Sequence, residues 1–254
     1  MMHVQLPKPL HGWREFIHEI IIVVLGVLLA LAGAEMAESW RWQWQVQSTR
    51  QAIANELVEN AKDAAQRLAV ENCLRDRVGE LVARLKASNG SWKGDPMPLV
   101  PGAQPTAHWD NLSMPRVYVV PLVGWTQDAW DTAKSAGVVD HMSHHEVASY
   151  SDVYGEILAI RDFQNQELLL ESSLAYLSSD QQLDSASRND ALGKLGQLDA
   201  LNATNAGLSS LIVAQMKGLH LDVDRVRARE QLRRTLAWTR RWRGNCVKDV
   251  EVEF

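Results

Sequence analysis

Cysteine is scarce in this chain. Its 254 residues include two cysteines, Cys73 and Cys246, which are too few for a disulfide-dense scaffold and lack the CxxC spacing of a metal site. The two can form a disulfide only in an oxidising compartment. The sequence leaves open whether they pair or are two unrelated buried thiols.

Motifs of the common enzyme classes are also missing. The sequence contains no Walker loop, no GxSxG nucleophile turn and no GxGxxG dinucleotide loop. Its net charge of −5 and pI near 5.9 exclude a protein whose whole surface is basic enough to bind nucleic acid. We therefore predict a protein that is not an enzyme and needs no cofactor.

A long apolar run near the N-terminus contrasts with these absences. Residues 20–34 are uninterrupted by any polar side chain, and only three polar residues interrupt the extension of this run to residues 16–37. A helix of that length rises roughly 33 Å, close to the hydrocarbon thickness of a bilayer. The pattern predicts a transmembrane helix over residues 15–37, after an N-terminal tail of residues 1–14.

Aromatic residues flank this segment, as they do at the two surfaces of a membrane. Trp13 precedes it, and Trp40, Trp42 and Trp44 follow it. Basic residues are nearly balanced on the two sides, so we take the default orientation, with the tail inside and the larger C-terminal part outside. A signal peptide cleaved after Ala34 is the alternative; acidic residues before the run and an unbroken helical pattern favour an uncleaved anchor.

The helical pattern continues beyond the apolar run. No proline occurs from residue 13 to residue 87, and apolar residues at spacings of three and four form one face. This pattern predicts a stalk helix over residues 38–88 with a face of the coiled-coil type. Residues 89–122 contain six prolines and are predicted to be an irregular Pro/Gly-rich connection, with at most a short strand at residues 117–120.

Residues 123–254 are predicted to form an antiparallel helical bundle. Ser143 and Glu146 make an S-x-x-E capping box that begins one helix. Further helices are predicted at about residues 126–136, 185–219 and 222–243. The second of these carries an apolar face of Leu192, Leu195, Leu198, Leu201, Leu208, Leu211 and Ile212. Such faces must be buried together, so the predicted fold class is all-α: a transmembrane helix continuing into a stalk, followed by the bundle.

One face of the membrane helix collects its small residues. At 100° per residue, an acid and four small residues fall within about 40° of one line: Glu19, Gly26, Ala30, Gly33 and Ala37. Small residues at such spacings let spanning helices approach closely, and an acid near hydrocarbon prefers a protein interior. The face predicts a homo-oligomer or docking to a partner membrane protein. Alternatively, Glu19 lies among lipid headgroups at the helix N-terminus.

Metal-ligand residue types cluster at residues 141–146. His141 and His145 are four apart, and Glu146 follows them. Ser143 caps the helix, which puts His141 outside it, and no HExxH motif or distant cysteine–histidine pair completes a site. We interpret the cluster as an exposed helix start and keep a metal site as the weaker alternative.

A basic segment with interleaved tryptophans covers residues 225–243, which hold eight arginines and one acid. The arginines assigned to its basic face are Arg225, Arg229, Arg233, Arg234, Arg240, Arg241 and Arg243. Such a face binds anionic headgroups, or nucleic acid if it lies in the cytoplasm. The plainer interpretation is a solvated helix whose arginines pair with acidic neighbours.

The anchor resembles that of a known family. The string that begins at Glu19, E-I-I-I-V-V-L-G-V-L-L-A-L, is followed by Trp40 and by a charged helix with Glu56 and Asn60. It is similar to the N-terminus of a bacterial family of uncharacterised single-pass membrane proteins that share an E-I-x-x-V-V-x-G-x-L-x-A-L anchor. A weaker similarity covers residues 129–137 and continues to Tyr150 and Tyr154 of the following helix. The resemblance implies a bacterial membrane location and a helical soluble part, and it implies no activity.

The leading hypothesis is a single-pass protein of a bacterial inner membrane whose periplasmic helical domain binds a partner, as a scaffold, an assembly partner or a sensor module. The expected partners are the lipid bilayer and either a second copy or another membrane protein. Nucleic acid is disfavoured, and the sequence leaves any small-molecule ligand unknown. Two alternatives remain: a membrane-attached metal-dependent hydrolase that uses His141, His145 and Glu146, and a membrane tether for nucleic acid through the arginine-rich helix.

Overall fold

Helices make up nearly all the regular structure in the described part of the chain. The computed structural model describes residues 12–95, 116–121 and 123–254. Its α-helices are α1 (Trp13–Ala69), α2 (Glu71–Ala87), α3 (Asp128–Ser135), α4 (His144–Ser173), α5 (Ser185–Met216) and α6 (Arg225–Arg243). Short 3₁₀ turns lie at Val138–His141, Ala175–Ser178, Lys217–Leu219 and Gly244–Cys246. Two strands, β1 (Ser91–Trp92) and β2 (Gln181–Gln182), pair antiparallel. The predicted all-α class is confirmed.

Local sequence signals set several helix ends. The Ser143 hydroxyl accepts the N–H of Glu146 while the Glu146 carboxylate accepts the N–H of Ser143, so the predicted capping box is confirmed. Asp184 and Asp224 cap α5 and α6 by accepting backbone N–H groups of the first turn. Gly137 follows α3 at φ 71°, in the left-handed region that favours glycine.

The predicted long helix is interrupted once, at Val70. α1 ends at Ala69 and α2 begins at Glu71. The carbonyl of Ala69 accepts the N–H of Lys248 at 2.9 Å. Carbonyls at a helix end lack their internal donors, and the C-terminal segment supplies one here.

The chain divides into two compact units, Met1–Ser48 and Thr49–Phe254. In the first unit, the large apolar side chains of residues 20–31 are all exposed, up to 73% for Leu29. By length and composition this helix is able to cross a membrane. Residues 1–11 of the predicted tail and residues 96–115 and 122 of the predicted connection lie outside the described residues.

The second unit buries apolar faces of several helices in one core. α5 packs against both α4 and α2, and the core includes Leu81, Trp92, Leu174 and Leu195. Ile53, Leu57, Ala61 and Ala64 of α1 are also fully buried. Residues 38–88 are predicted to form a stalk helix separate from the domain of residues 123–254, whereas from residue 49 onward they lie in the same compact unit as that domain. An apolar face of that length is stabilised by burial against the rest of the chain.

The helix α6 lies beside α1 within the second unit. Lys62 donates to Gln231 at 3.4 Å, and Gln66 donates to Thr239 at 3.0 Å. Beyond α6, the two cysteines whose pairing the sequence leaves open form a disulfide. It joins Cys73 of α2 to Cys246, with the two Cα atoms 5.0 Å apart and 173 residues of sequence separation.

Residues 117–120 do not form the predicted short strand. The carbonyls of Val117 and Val119 accept hydrogen bonds from arginine side chains at 2.8 and 2.5 Å. The N–H of Val120 donates to the Glu171 carboxylate at 3.2 Å. Side chains therefore satisfy backbone groups that a neighbouring strand would otherwise pair.

Candidate functional site: a polar layer inside the helical unit

Polar side chains occupy buried positions within the apolar faces of α1, α4 and α5. In α4 and α5 the buried residues recur at spacings of three and four, as along the seam of a coiled coil. The row in α5 is Ala191, Leu195, Leu198, Asn202, Asn205, Ser209, Ile212 and Met216. Its ends are apolar and its middle is polar. We call eight of the buried polar residues of the three helices the polar layer: Asn60, Arg67, Gln164, Glu167, Glu171, Asn202, Asn205 and Ser209.

An ion pair between Arg67 and Glu167 forms the centre of the polar layer. Arg67 is 2% exposed and Glu167 is 0% exposed. The Nη2 atom of Arg67 donates to Oε1 of Glu167 and, at 3.3 Å, to Oδ1 of Asn202. Nδ2 of Asn205 donates to Oε2 of Glu167 at 2.8 Å. This one pair and its two amide neighbours join α1, α4 and α5.

A second buried carboxylate, Glu171, lies one helical turn further along α4. Arg116 donates to its Oε1 atom at 2.6 Å, and the N–H of Val120 donates to its Oε2 atom at 3.2 Å. At the end of α6, Arg243 donates to the carbonyl of Val119 at 2.5 Å. Residues 116–120 and the end of α6 are therefore attached near the same part of the layer.

Burial shifts the pKa values of the ionisable groups in and around the polar layer. Loss of hydration raises the pKa of Glu167, against the opposing effect of Arg67, and it also raises the pKa of Glu171. Burial raises the pKa of the Tyr118 hydroxyl and lowers the pKa of the Arg243 guanidinium. These charges depend on protein partners because water no longer solvates them.

Some polar atoms of this region have no hydrogen-bond partner among the described residues. They are Nε and Nη1 of Arg67, the hydroxyls of Tyr118 and Ser209, and Oδ1 of Asn205. A buried polar atom left unsatisfied costs about 1–3 kcal/mol. We interpret the layer as an arrangement that specifies one packing of the helices at a cost in stability, as polar seam residues do in coiled coils.

A second polar group attaches α3 to α1 and α4. The Tyr154 hydroxyl donates to Oε1 of Glu56 at 2.5 Å, and the N–H of Ala129 donates to Oε2 of the same carboxylate at 3.0 Å. The Trp130 ring stacks on Tyr154 with the ring centroids 5.6 Å apart. Nearby, Asn60 of α1 both donates to and accepts from the backbone just before α3.

The predicted histidine cluster lies at the start of α4. Its carboxylate is engaged, because Glu146 accepts from Arg50 at 2.8 and 2.9 Å and from the Ser143 hydroxyl at 2.9 Å. His141 lies in the preceding 3₁₀ turn and His145 in the first turn of α4. Within the ranges that the structure describes, no three histidine, cysteine, aspartate or glutamate side chains are grouped as a metal site would require.

The predicted association face of the apolar N-terminal part of α1 is exposed along its whole length. Glu19, Gly26, Ala30, Gly33 and Ala37 are all exposed. A Cβ atom added at Gly26 or Gly33 would meet no other part of the described chain within 4 Å. The predicted interface tryptophans are exposed at Trp13, Trp40 and Trp44 and partly buried at Trp42.

The arginines of α6 differ in their partners. Arg233 and Arg234 both donate to Glu230, and these hydrogen bonds lower the pKa of that carboxyl to about 2. Arg240 pairs with an aspartate of the C-terminal segment, and Arg243 donates to a backbone carbonyl as described above. Four exposed arginines have side chains that make no hydrogen bond or ion pair with the described residues: Arg225, Arg227, Arg229 and Arg241. The predicted pairing with acidic neighbours is therefore found for Arg233, Arg234 and Arg240 but, in the described part of the chain, not for the other arginines of α6.

The polar layer was missed because leucines were taken as the markers of the apolar face. The sequence analysis included Leu201, Leu208 and Leu211 in the face of α5, yet the first two are partly buried and Leu211 is 51% exposed. Asn202 and Asn205 are buried instead. The signal that could have identified them is the three-and-four spacing that begins at Ala191 and continues through them.

Comparison with protein-family models, with curated proteins and with solved structures finds no significant match to the chain. The family resemblance of the anchor therefore stays a prediction. The function has to be inferred from the geometry of the helices and of their polar residues.

Breaking the central ion pair is expected to destabilise the second unit strongly. Arg67→Met leaves the Glu167 carboxylate buried without its counter-charge, so the free energy of unfolding at pH 7 should fall by about 3–5 kcal/mol. Urea denaturation of the full chain in detergent, followed by circular dichroism, measures the change. Arg67→Met with Glu167→Leu should recover much of the loss because it removes both charges, and the exposed control Arg241→Met should change stability by less than about 0.5 kcal/mol. A double variant no more stable than the single one would contradict the assignment.

Asp63 of α1 is expected to make stability depend on pH. Burial, together with repulsion from Glu59, raises the pKa of Asp63 from 3.8 to about 6. The folded state therefore binds this proton more tightly than the unfolded state, and the stability from Asp63 is fully present below pH 3.8 and is lost as the pH rises through 6. Asp63→Asn should raise the free energy of unfolding at pH 7 by about 1–2 kcal/mol after allowance for partial exposure, and by nothing below about pH 4. The exposed control Asp199→Asn should show no such pH-dependent gain; an equal gain at both pH values for Asp63→Asn would contradict the prediction.

Proposed function

We propose that this chain is a single-pass membrane protein whose helical unit, an antiparallel bundle outside the cytoplasm, acts by binding a partner. The role is that of a scaffold, an assembly partner or a sensor module, and it involves no reaction of the chain's own. The localisation that we propose is a bacterial inner membrane with the bundle in the periplasm.

The exposed apolar surface of the first unit supports the membrane anchor. Side chains such as Ile22, Leu28 and Leu29 are exposed by more than half. A contiguous apolar surface of this kind is not stable in water. A bilayer can cover this surface without leaving polar groups unpaired, because the backbone hydrogen bonds of a helix are made within the helix.

The disulfide between Cys73 and Cys246 carries the proposal that the second unit lies outside the cytoplasm. Cytosolic thiols are kept reduced, whereas disulfides form and persist in the periplasm and other oxidising compartments. This location agrees with the default orientation of the anchor, in which the short N-terminal tail lies inside and the C-terminal part outside. The same compartment disfavours nucleic acid as a partner of α6.

The arrangement of the second unit supports the proposed antiparallel bundle. Glu156 of α4 contacts Gln215 of α5, and Glu167 contacts Asn205, so higher numbers on one helix meet lower numbers on the other. Binding is favoured over catalysis because the buried carboxylates are engaged with arginines, amides and backbone groups. The exposed features of the chain are an apolar helix and a basic helix.

A pair of topology reporters tests the side on which the bundle lies. Alkaline phosphatase, active only outside the cytoplasm, and β-galactosidase, active only inside, are fused in turn after Phe254. We expect activity from the first alone, and no reaction of the unreduced wild-type chain with a thiol-directed polyethylene glycol reagent. Cys73→Ser is the control, because it leaves Cys246 free to react. Activity of the inside reporter would exclude the periplasmic location, and modification of wild-type thiols without reduction would remove the support that the disulfide gives it.

Association through the membrane helix is tested separately. Gly26→Ile with Ala30→Ile places bulk on the small-residue face, and nothing in the described chain lies within 4 Å of a Cβ added at Gly26. We expect energy transfer between two differently labelled copies in the same membrane to fall to background, because close helix approach depends on small residues. Val24→Ile with Ala32→Ile adds bulk to the opposite face and should leave transfer unchanged. Equal transfer in wild type and in the Gly26/Ala30 variant would argue against this face.

A further inference from the structure

The outward face of α6 carries two rows of arginines with a narrow strip between them. At 100° per residue, the rows fall on either side of one line along the helix. One row is Arg229 and Arg233, and the other is Arg227, Arg234 and Arg241. Arg225 projects between the buried Leu232 and Leu236 and belongs to neither row. Between the rows lie Val226, Glu230 and Ala237, and Val226 is 80% exposed. We call this surface the arginine face.

The apolar side of α6 is already used inside the second unit. Ala228, Leu232 and Leu236 are buried. Helices that lie in a membrane surface insert a broad apolar side between the lipids. That side of α6 is buried, and the large apolar side chains that α6 leaves exposed are Val226 and Trp238. The arginine face therefore offers charge and a narrow strip rather than a wide apolar surface, which disfavours a lipid bilayer as its occupant.

Glu230 shows how a carboxylate sits on this surface. It lies in the strip and accepts hydrogen bonds from Arg233 at 2.9 and 3.0 Å and from Arg234 at 2.8 Å. The planar fork of a guanidinium matches the geometry of a carboxylate. The side chains of three further arginines beside the strip, Arg227, Arg229 and Arg241, make no hydrogen bond or ion pair with the described residues. The face can therefore accept more carboxylates than the chain supplies there.

We propose that the arginine face docks an acidic amphipathic helix of a partner protein. Apolar side chains of that helix contact Val226 and Ala237, and carboxylates on its two flanks pair with the two arginine rows. This is the arrangement of a coiled-coil pair, in which charged residues flank an apolar seam and select the partner. Charge complementarity argues for an acidic occupant, and the strip between the rows argues for a helix.

The inference deepens the proposed binding role by naming the class of partner. It rests on that role and not on the side of the membrane. A binding test with the purified full chain and the topology experiment are therefore independent, and the failure of one does not imply the failure of the other.

Two fluorescent peptides of identical composition serve as probes. The patterned peptide, about 20 residues long, has leucines at spacings of three and four flanked by glutamates; its isomer has the same residues in an order without an apolar face. Fluorescence anisotropy with the full chain in uncharged detergent at low salt measures binding. We expect the patterned peptide to bind on the order of tenfold more tightly than its isomer, since only the patterned one fits the strip and both rows.

Variants of the arginine face test where the peptide binds. Arg227→Gln, Arg229→Gln and Arg241→Gln combined should weaken binding of the patterned peptide by on the order of tenfold, and Ala237→Glu should weaken it by placing a carboxylate in the strip.

A matched control removes three exposed lysines elsewhere: Lys86→Gln, Lys134→Gln and Lys217→Gln. It changes the net charge equally and should leave binding unchanged. Thermal melting of each variant, followed by circular dichroism, establishes that it is folded.

Three outcomes would overturn the proposal. The first is equal binding of the patterned peptide and its isomer, which would make the face a non-specific cationic surface. The second is an equal loss in the arginine and lysine triple variants. The third is that nanodiscs containing phosphatidylglycerol displace the patterned peptide while phosphatidylcholine nanodiscs do not, which would assign the face to anionic lipid.

Discussion

The second unit is organised by the need to neutralise one buried arginine. A guanidinium does not lose its proton in a protein, so burying Arg67 requires a buried counter-charge and acceptor oxygens beside it. Glu167 supplies the charge and Asn202 supplies a further acceptor, while Asn205 holds the second oxygen of Glu167. These partners lie on α4 and α5. A slip of either helix by one turn would leave a charge unpaired in the interior, at a cost of several kcal/mol, so this requirement fixes the relative positions of the three helices.

The same region orders parts of the chain that have no regular structure of their own. Glu171 follows Glu167 by one turn and binds both the side chain of Arg116 and the backbone of Val120. Arg243 reaches the same segment from the end of α6. Residues 116–120 are thus held by side chains whose positions depend on helix register. Their alternation of valine and tyrosine favours a strand in isolation. They form no strand here because charged side chains pair with their backbone groups instead.

Local signals were sufficient to predict the helices of this fold, whereas the polar layer needed tertiary information. The capping box at Ser143 lies within one helical turn, so it could be identified from sequence, and the same holds for the absence of proline through α1 and α2. The phase of the α5 face could not be fixed from its leucines. Burial of Asn202 and Asn205 becomes favourable only once Arg67 and Glu167 are opposite them, and those residues are distant in sequence. The break at Val70 and the disulfide likewise depend on where the C-terminal segment packs.

The polar layer and the disulfide have opposite effects on the free energy of unfolding. An incompletely satisfied buried ion pair lowers stability by a few kcal/mol relative to an apolar packing of the same volume. A cross-link between residues as distant as Cys73 and Cys246 stabilises a folded chain by about 4–5 kcal/mol in the chain-entropy model, because it restricts the unfolded ensemble. The two effects are similar in size and opposite in sign. A helical unit that uses buried charge to specify its packing is therefore most stable where its disulfide persists, in an oxidising compartment.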